Sequence, residues 1–116
     1  MGENVIQEKS YDLALYIIKL VRQLPRHSEG YVISNQLLKC GTSVGANVEE
    51  AIAAFSKDDF RYKMSIALKE ARETHYWLRL LKDSEMVAEN NLTQLLSLTT
   101  EVMKILGAIV KSSQST

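Results

Sequence analysis

The sequence predicts an all-α protein, an antiparallel up-down-up-down four-helix bundle, and three observations carry that expectation. Over four stretches the apolar residues recur alternately four and three positions apart, the spacing of a seam along which helices pack lengthwise. The polar breaks between those stretches are short, as between consecutive helices of a bundle, and no stretch carries a strand pattern. Finally, 116 residues with 46% hydrophobic content make one domain of ordinary globular composition, with no solenoid repeat, low-complexity block or second domain.

The first helix is predicted over Val5–Leu24, with Ile6, Ser10, Leu13, Ile17, Leu20 and Leu24 as its seam and Tyr16 and Val21 widening the stripe. Pro25 stops it, because proline lacks the amide the next turn needs, and Arg26-His27-Ser28-Glu29-Gly30 then reads as a polar, flexible turn. The second helix begins either near Tyr31 or after Ser34, which is a candidate cap, and runs to Phe55 through Leu37, Gly41, Val44, Val48 and Ala51. Each glycine costs roughly 1 kcal/mol against alanine inside a helix, so Gly41 and Gly45 imply close approach by another helix.

The turn Ser56-Lys57-Asp58-Asp59 reads as a capping box, with the Ser56 hydroxyl on the Asp59 amide and the Asp59 carboxylate reaching back to the Ser56 amide. Phe55 and Phe60 are spaced to close over it as a hydrophobic staple. The third helix follows over residues 57–83, with Phe60, Met64, Ala67, Ala71, Thr74, Leu78 and Leu81 as its seam. The fourth, over residues 90–112, takes up after Glu89-Asn90-Asn91. Its seam is Leu95, Leu98, Val102, Ile105 and Ile109, with Leu92, Leu96, Leu106 and Val110 beside it.

Composition excludes little by charge: 14 basic residues balance 14 acidic ones, so any affinity for nucleic acid requires a local patch. The single Cys40 and the lack of a basic-then-apolar leader favour a reducing cytoplasmic compartment. Lys19 and Arg22 interrupt the most apolar stretch of the first helix, so no membrane span is expected.

Two features of the central hairpin carry candidate function. The first is a polar set: Ser43, Asn47 and Glu50 lie four and three apart beside the seam of the second helix, and Glu70, Glu73 and Thr74 keep that spacing on the third. Folding about residues 56 and 57 brings Ser43 level with Glu70, and Cys40 level with Thr74. The rows then either form a shared buried network or point to solvent and local backbone. The second feature is excess apolar surface. Tyr62, Ile66, Tyr76, Trp77 and Leu80 lie off the seam of the third helix, and a monomer would leave much of that surface in water, so self-association is expected.

The run Gln36 to Lys39, Thr42 to Ala51, then Ser56, Asp59-Phe60, Ile66-Ala67 and Glu70 to Leu78 resembles the bacterial four-helix bundle proteins encoded in 23S ribosomal RNA intervening sequences. The resemblance covers nearly the whole chain. It implies a homo-oligomer, with a pentameric barrel as the arrangement. It also implies similarity to the accessory protein of diversity-generating retroelements, which binds nucleic acid and a reverse transcriptase. The second-helix motif departs from many relatives at Leu38-Lys39-Cys40, where they are Arg-rich, and at Ala51, where they carry glycine.

Chemistry by the chain itself finds little support. A di-metal bundle site needs a Glu-x-x-His pair on each of two helices; His75 follows Glu73 by two residues and Glu70 by five, and His27 falls in a turn. Cys40 has no histidine placed to activate it, and Gly41 to Gly45 lacks the Gly-Lys-Ser/Thr ending of a phosphate loop. The expectation is therefore no enzyme, no metal and no cofactor. Over Lys57 to Lys82, however, seven basic side chains meet four acidic ones. Lys69, Arg72, Arg79 and Lys82 are the candidate nucleic-acid contacts, which a cyclic oligomer would repeat; the plainer alternative is a solvated face laced with ion pairs. The sequence thus predicts a non-catalytic, homo-oligomeric binding or scaffolding module, with RNA or an RNA-processing protein as partner. The rival readings are a protein-only adaptor and a small enzyme with an interface site at Glu70, Glu73 and His75.

Overall fold

A computed structural model describes residues 2–114. It is all-helical: α1 (Gly2–Val21), α2 (Ser28–Ile52), α3 (Lys57–Asp83) and α4 (Thr93–Gln114), with a single 3-10 turn at Glu89–Asn91 before α4. Among the described residues there is no strand. The helices lie alongside one another in a body of 45 × 21 × 19 Å. Each of α1 and α3 packs against both α2 and α4, so one core runs down the middle.

The seams of the first three helices are that core. Ile6, Ser10, Leu13, Ile17 and Leu20 are buried on the first, with Leu24 just beyond its end, Leu37, Gly41, Val44, Val48 and Ala51 on the second, and Met64, Ala67, Ala71, Thr74, Leu78 and Leu81 on the third, where Phe60 is only partly buried. The glycines of α2 have the role the spacing implies. A Cβ at Gly41 would stand 2.9 Å from Ile17 Cγ1, and one at Gly45 would stand 3.3 Å from the Ser10 carbonyl oxygen. The helix they admit is α1.

Residue pairs set the register. Cys40 Sγ accepts from the Thr74 hydroxyl at 3.3 Å, and Glu50 pairs with Lys63 at 2.7 Å. Gln7 Nε2 donates to the Glu49 carboxylate at 2.9 and 3.0 Å, while Lys9 meets Glu101 at 3.1 Å and Lys82 meets Glu89 at 3.5 Å.

Five local expectations are corrected. The first helix ends at Val21, and Gln23 and Leu24 bond back to Leu20 and Val21 in a tighter turn, because the residue before a proline avoids the helical region. The second starts at Ser28 rather than at Tyr31 or Ser34; the Tyr31 amide bonds the His27 carbonyl, and His27 caps it without a side-chain bond. Gly30 lies inside that first turn because a Cβ there would sit 2.6 Å from the Pro25 oxygen; it marks a close contact, not a break. The staple is not formed, since α2 stops at Ile52 and Phe55 is 105% exposed. Finally, the centre of the α4 seam is Leu95, Thr99, Val102 and Leu106, with Leu98, Ile105 and Ile109 only partly buried. Thr99 takes the core position because its hydroxyl is satisfied by the Leu95 carbonyl at 2.7 Å.

The α4 helix, at 22 residues, is also long and apolar enough by length and composition to span a bilayer, contrary to the expectation of no such run. Its buried residues pack in the core beside α1 and α3.

The Ser56 cap stands: its hydroxyl accepts the Asp59 amide at 3.0 Å, although the reciprocal bond from Asp59 is not made among the described residues. Ser56→Ala is expected to destabilise the protein by about 1 kcal/mol, the usual value of such a cap, without changing subunit number. An unfolding midpoint equal to that of the parent would show that the Ser56 hydroxyl contributes nothing there.

Candidate functional site

The face of α3 turned away from the core is built by a seven-residue repeat. Seven residues fall about 20° short of two full turns of a helix, so Tyr62, Lys69 and Tyr76 share one row, and Leu80, four beyond Tyr76, continues it. Tyr62 is 62% exposed, Tyr76 47% and Leu80 38%. Cations lie against this row: Lys63 Nζ is 5.9 Å from the centre of the Tyr62 ring, and the Arg79 guanidinium is 5.9 Å from that of Tyr76. Both are within cation–π range.

Trp77 and Ile66 flank the row on the side toward α2, and each is half-buried. The indole meets the Tyr76 ring edge-on, with centroids 5.2 Å apart and planes at 72°, and its N–H donates to Glu73 Oε2 at 3.3 Å. Trp77 therefore belongs to the core margin as well as to the surface.

The four candidate basic residues divide in two. Lys82 is tied to Glu89, whereas Lys69, Arg72 and Arg79 make no salt bridge with any described residue and are exposed. The ion-pair-laced alternative thus describes the two ends of the helix, where Arg61 pairs with Asp58, Lys63 with Glu50 and Lys82 with Glu89, and not its middle.

The polar rows beside the α2–α3 seam do not join into one buried network. Asn47 Nδ2 donates to the Ser43 carbonyl at 2.8 Å, and the Thr74 hydroxyl reaches the Glu70 carbonyl at 2.8 Å as well as Cys40. Glu50 is exposed and holds Lys63, whose pKa it raises by hydrogen bond and charge. Among the described residues no side-chain bond joins the two predicted rows; the buried side-chain bond between α2 and α3 is that of Thr74 to Cys40, which lies outside the α2 row. A buried carboxylate is costly, and the glutamates are long enough to reach the rim instead. Burial pushes the Cys40 thiol up to about 11, against a smaller opposing effect of the Thr74 hydroxyl, so at neutral pH it is a compact apolar side chain.

Glu70, Glu73 and His75 are not gathered by the helix. Two residues are about 200° of helical rotation, which turns His75 away from the Glu73 row, and Glu73 is already engaged by Trp77. Among the described residues no group of three or more His, Cys, Asp or Glu side chains could hold a metal ion.

Burial, with a smaller contribution from Arg79, holds the His75 imidazole below its usual pKa of 6.5. Between that lowered value and 6.5 the unfolded chain binds more protons than the fold. Its contribution to stability is therefore complete above pH 6.5 and is lost as pH falls through the window. His75→Gln is expected to flatten this part of the stability profile; equal slopes for the two proteins would mean the imidazole is solvated in the fold.

One concavity had no signal in the periodicity. Between the end of α1 and the start of α4, Tyr16, Lys19, Gln23, Asn91 and Gln94 surround a hollow of about 200 Å³. Its residues come from two helix ends far apart in the chain, and each taken alone reads as ordinary surface.

The model of the 23S rRNA-intervening sequence protein family matches residues 2–108. The chain belongs to that family. It is also similar to a crystal structure of a protein of unknown function from the S23 ribosomal protein family of Bacteroides thetaiotaomicron. That likeness has a TM-score of 0.88 and 41% identity over 96% of this chain and 99% of the other. No curated protein matches. As a member of the 23S rRNA-intervening sequence protein family, the chain carries the family match across all of α1, α2 and α3 and most of α4.

Proposed function

We propose that this family member is a non-catalytic, cytoplasmic, homo-oligomeric helical module that binds RNA. The protomer is an up-down-up-down bundle. In support, Cys40 meets Thr74 and Glu50 meets Lys63 between α2 and α3, and Gln7 meets Glu49 while Ile17 faces Gly41 between α1 and α2, pairings that run in opposite senses along neighbouring helices. The observation that carries the reading is the outer face of α3, where exposed aromatics stand with exposed cations that no described carboxylate neutralises. In a cyclic assembly the apolar row Tyr62, Tyr76 and Leu80 meets the neighbouring copy, with Ile66 and Trp77 at its edge. Arg72 and Arg79 stand beside that row, at the rim, and repeat once per subunit, while Lys69 lies within the row and its long side chain carries the charge outward. The family resemblance favours a pentamer.

Repetition is what lets a chain of zero net charge hold a polyanion. Each cation placed on a phosphate of a single strand adds about 0.7 to the slope of log affinity against log salt, and several weak contacts on one ring act together. Retention of a short unpaired RNA is expected to fall steeply with salt. Arg72→Ala with Arg79→Ala should weaken it and flatten the slope. Salt-independent retention, or no retention at low salt, would refute the reading.

A further inference from the structure

The hollow between the end of α1 and the start of α4 has a definite chemistry. Leu20 and Leu95, each 5% exposed, form an apolar floor. Tyr16 supplies an aromatic ring, and Lys19 Nζ lies 5.9 Å from its centre, so ring and cation make one wall. Gln23, Asn91 and Gln94 complete the rim, and none of these amides makes a side-chain hydrogen bond to another described residue. The lining holds one cation and no carboxylate.

At about 200 Å³ the space is smaller than the 300–1,000 Å³ of sites for drug-sized ligands, so the part of a ligand that it encloses is about the size of one ring system, and the remainder lies at the rim. Side-chain amides both donate and accept, the pattern that pairs with the edge of a nucleobase. Unpaired bases are held by stacking on tyrosine while their edges are hydrogen-bonded. A cation beside the ring then suits the attached phosphate.

We propose that this groove takes a single unpaired nucleotide, its base over the apolar floor against Tyr16, its edge read by Gln23, Asn91 and Gln94, and its phosphate at Lys19. This deepens the RNA reading and rests on it for the source of the nucleotide, but it shares no residue with the α3 face.

The test is a titration of the isotope-labelled full chain, followed by the side-chain amide resonances of glutamine and asparagine. The titrants are adenosine monophosphate, uridine monophosphate, inorganic phosphate and a short unpaired RNA. Both mononucleotides and the RNA are expected to shift Gln23, Asn91 and Gln94. The exposed variants Tyr16→Leu and Gln94→Ala should each weaken mononucleotide binding by about 10-fold, the scale of one stacking or base-edge contact, with helix content by circular dichroism unchanged. They should leave the part of the salt slope owed to Arg72 and Arg79 intact.

If phosphate alone reproduces the shifts, the groove is an anion site and the base reading is overturned. If RNA is retained but none of these amides responds to any nucleotide, the groove proposal fails while the α3 reading stands. If mononucleotides bind here and RNA is not retained, the groove proposal holds with free nucleotide as its ligand, and the RNA function fails alone.

Discussion

Ile17→Ala is expected to lower the free energy of unfolding by about 2–5 kcal/mol, the range for emptying a buried aliphatic site, read as a fall in the denaturation midpoint at fixed protein concentration. Ile17 is fully buried and sits at the closest approach of α1 to α2. The informative step is the combination with Gly41→Ala. Alone, that substitution gains about 1 kcal/mol of helix propensity. It also drives a methyl to 2.9 Å from Ile17 Cγ1 and 3.1 Å from Cγ2. Overpacking of this kind costs about 1–3 kcal/mol, so the net effect is a loss. Once Ile17→Ala has removed those γ carbons, the collision is gone and the new methyl fills part of the cavity. The double variant should therefore be more stable than the sum of the single effects by about 0.5 kcal/mol or more, the coupling found between residues in contact. Additive effects would show that the glycine does not hold the α1–α2 spacing.

The second large effect concerns assembly. Tyr62→Ala with Tyr76→Ala should move the protein toward smaller species in sedimentation while helix content is kept. Large aromatics at the centre of an interface often carry about 2 kcal/mol or more, and both rings are substantially exposed in the protomer, so their loss removes little core. Trp77→Ala is a poorer probe on its own. The indole packs on the core and bonds Glu73, so its removal would lower protomer stability and assembly together. A double variant that sediments like the parent would take the outer face of α3 out of the interface.

Much of this fold was legible because local signals agreed with one another. The bounds of α3, residues 57–83, follow from the Ser56 cap and an unbroken seam, and the structure reproduces them. The register Cys40–Thr74 follows from folding the chain about one turn. At two of the places where reading failed, a glycine or a polar residue acts through a contact that no pattern encodes. Gly30 reads as a break but is a helix residue pressed on Pro25. Thr99 lies outside the predicted seam but is fully buried, its hydroxyl bonded within its own helix. The end of α3 is closed by Glu85 at φ 61°, with Glu85 N–H to Lys82 and Met86 N–H to Leu81, a left-handed helix cap that usually announces itself by glycine.

The candidate site was half legible. The sevenfold row of Tyr62, Lys69 and Tyr76 could be counted along the chain. Which cations stay unpaired depends on where Glu50 and Glu89 reach in space. The groove beside Tyr16 depends on two helix ends meeting, and only the fold brings them together.

Sedimentation of the wild-type chain at tens of micromolar bears most directly on the account. It predicts a single boundary at a multiple of the 13.1 kDa protomer, five by the family resemblance. A single boundary at 13.1 kDa would contradict it. The aromatic row of α3 would then be bare surface, and Lys69, Arg72 and Arg79 would lose the repetition on which RNA binding by a chain of zero net charge depends.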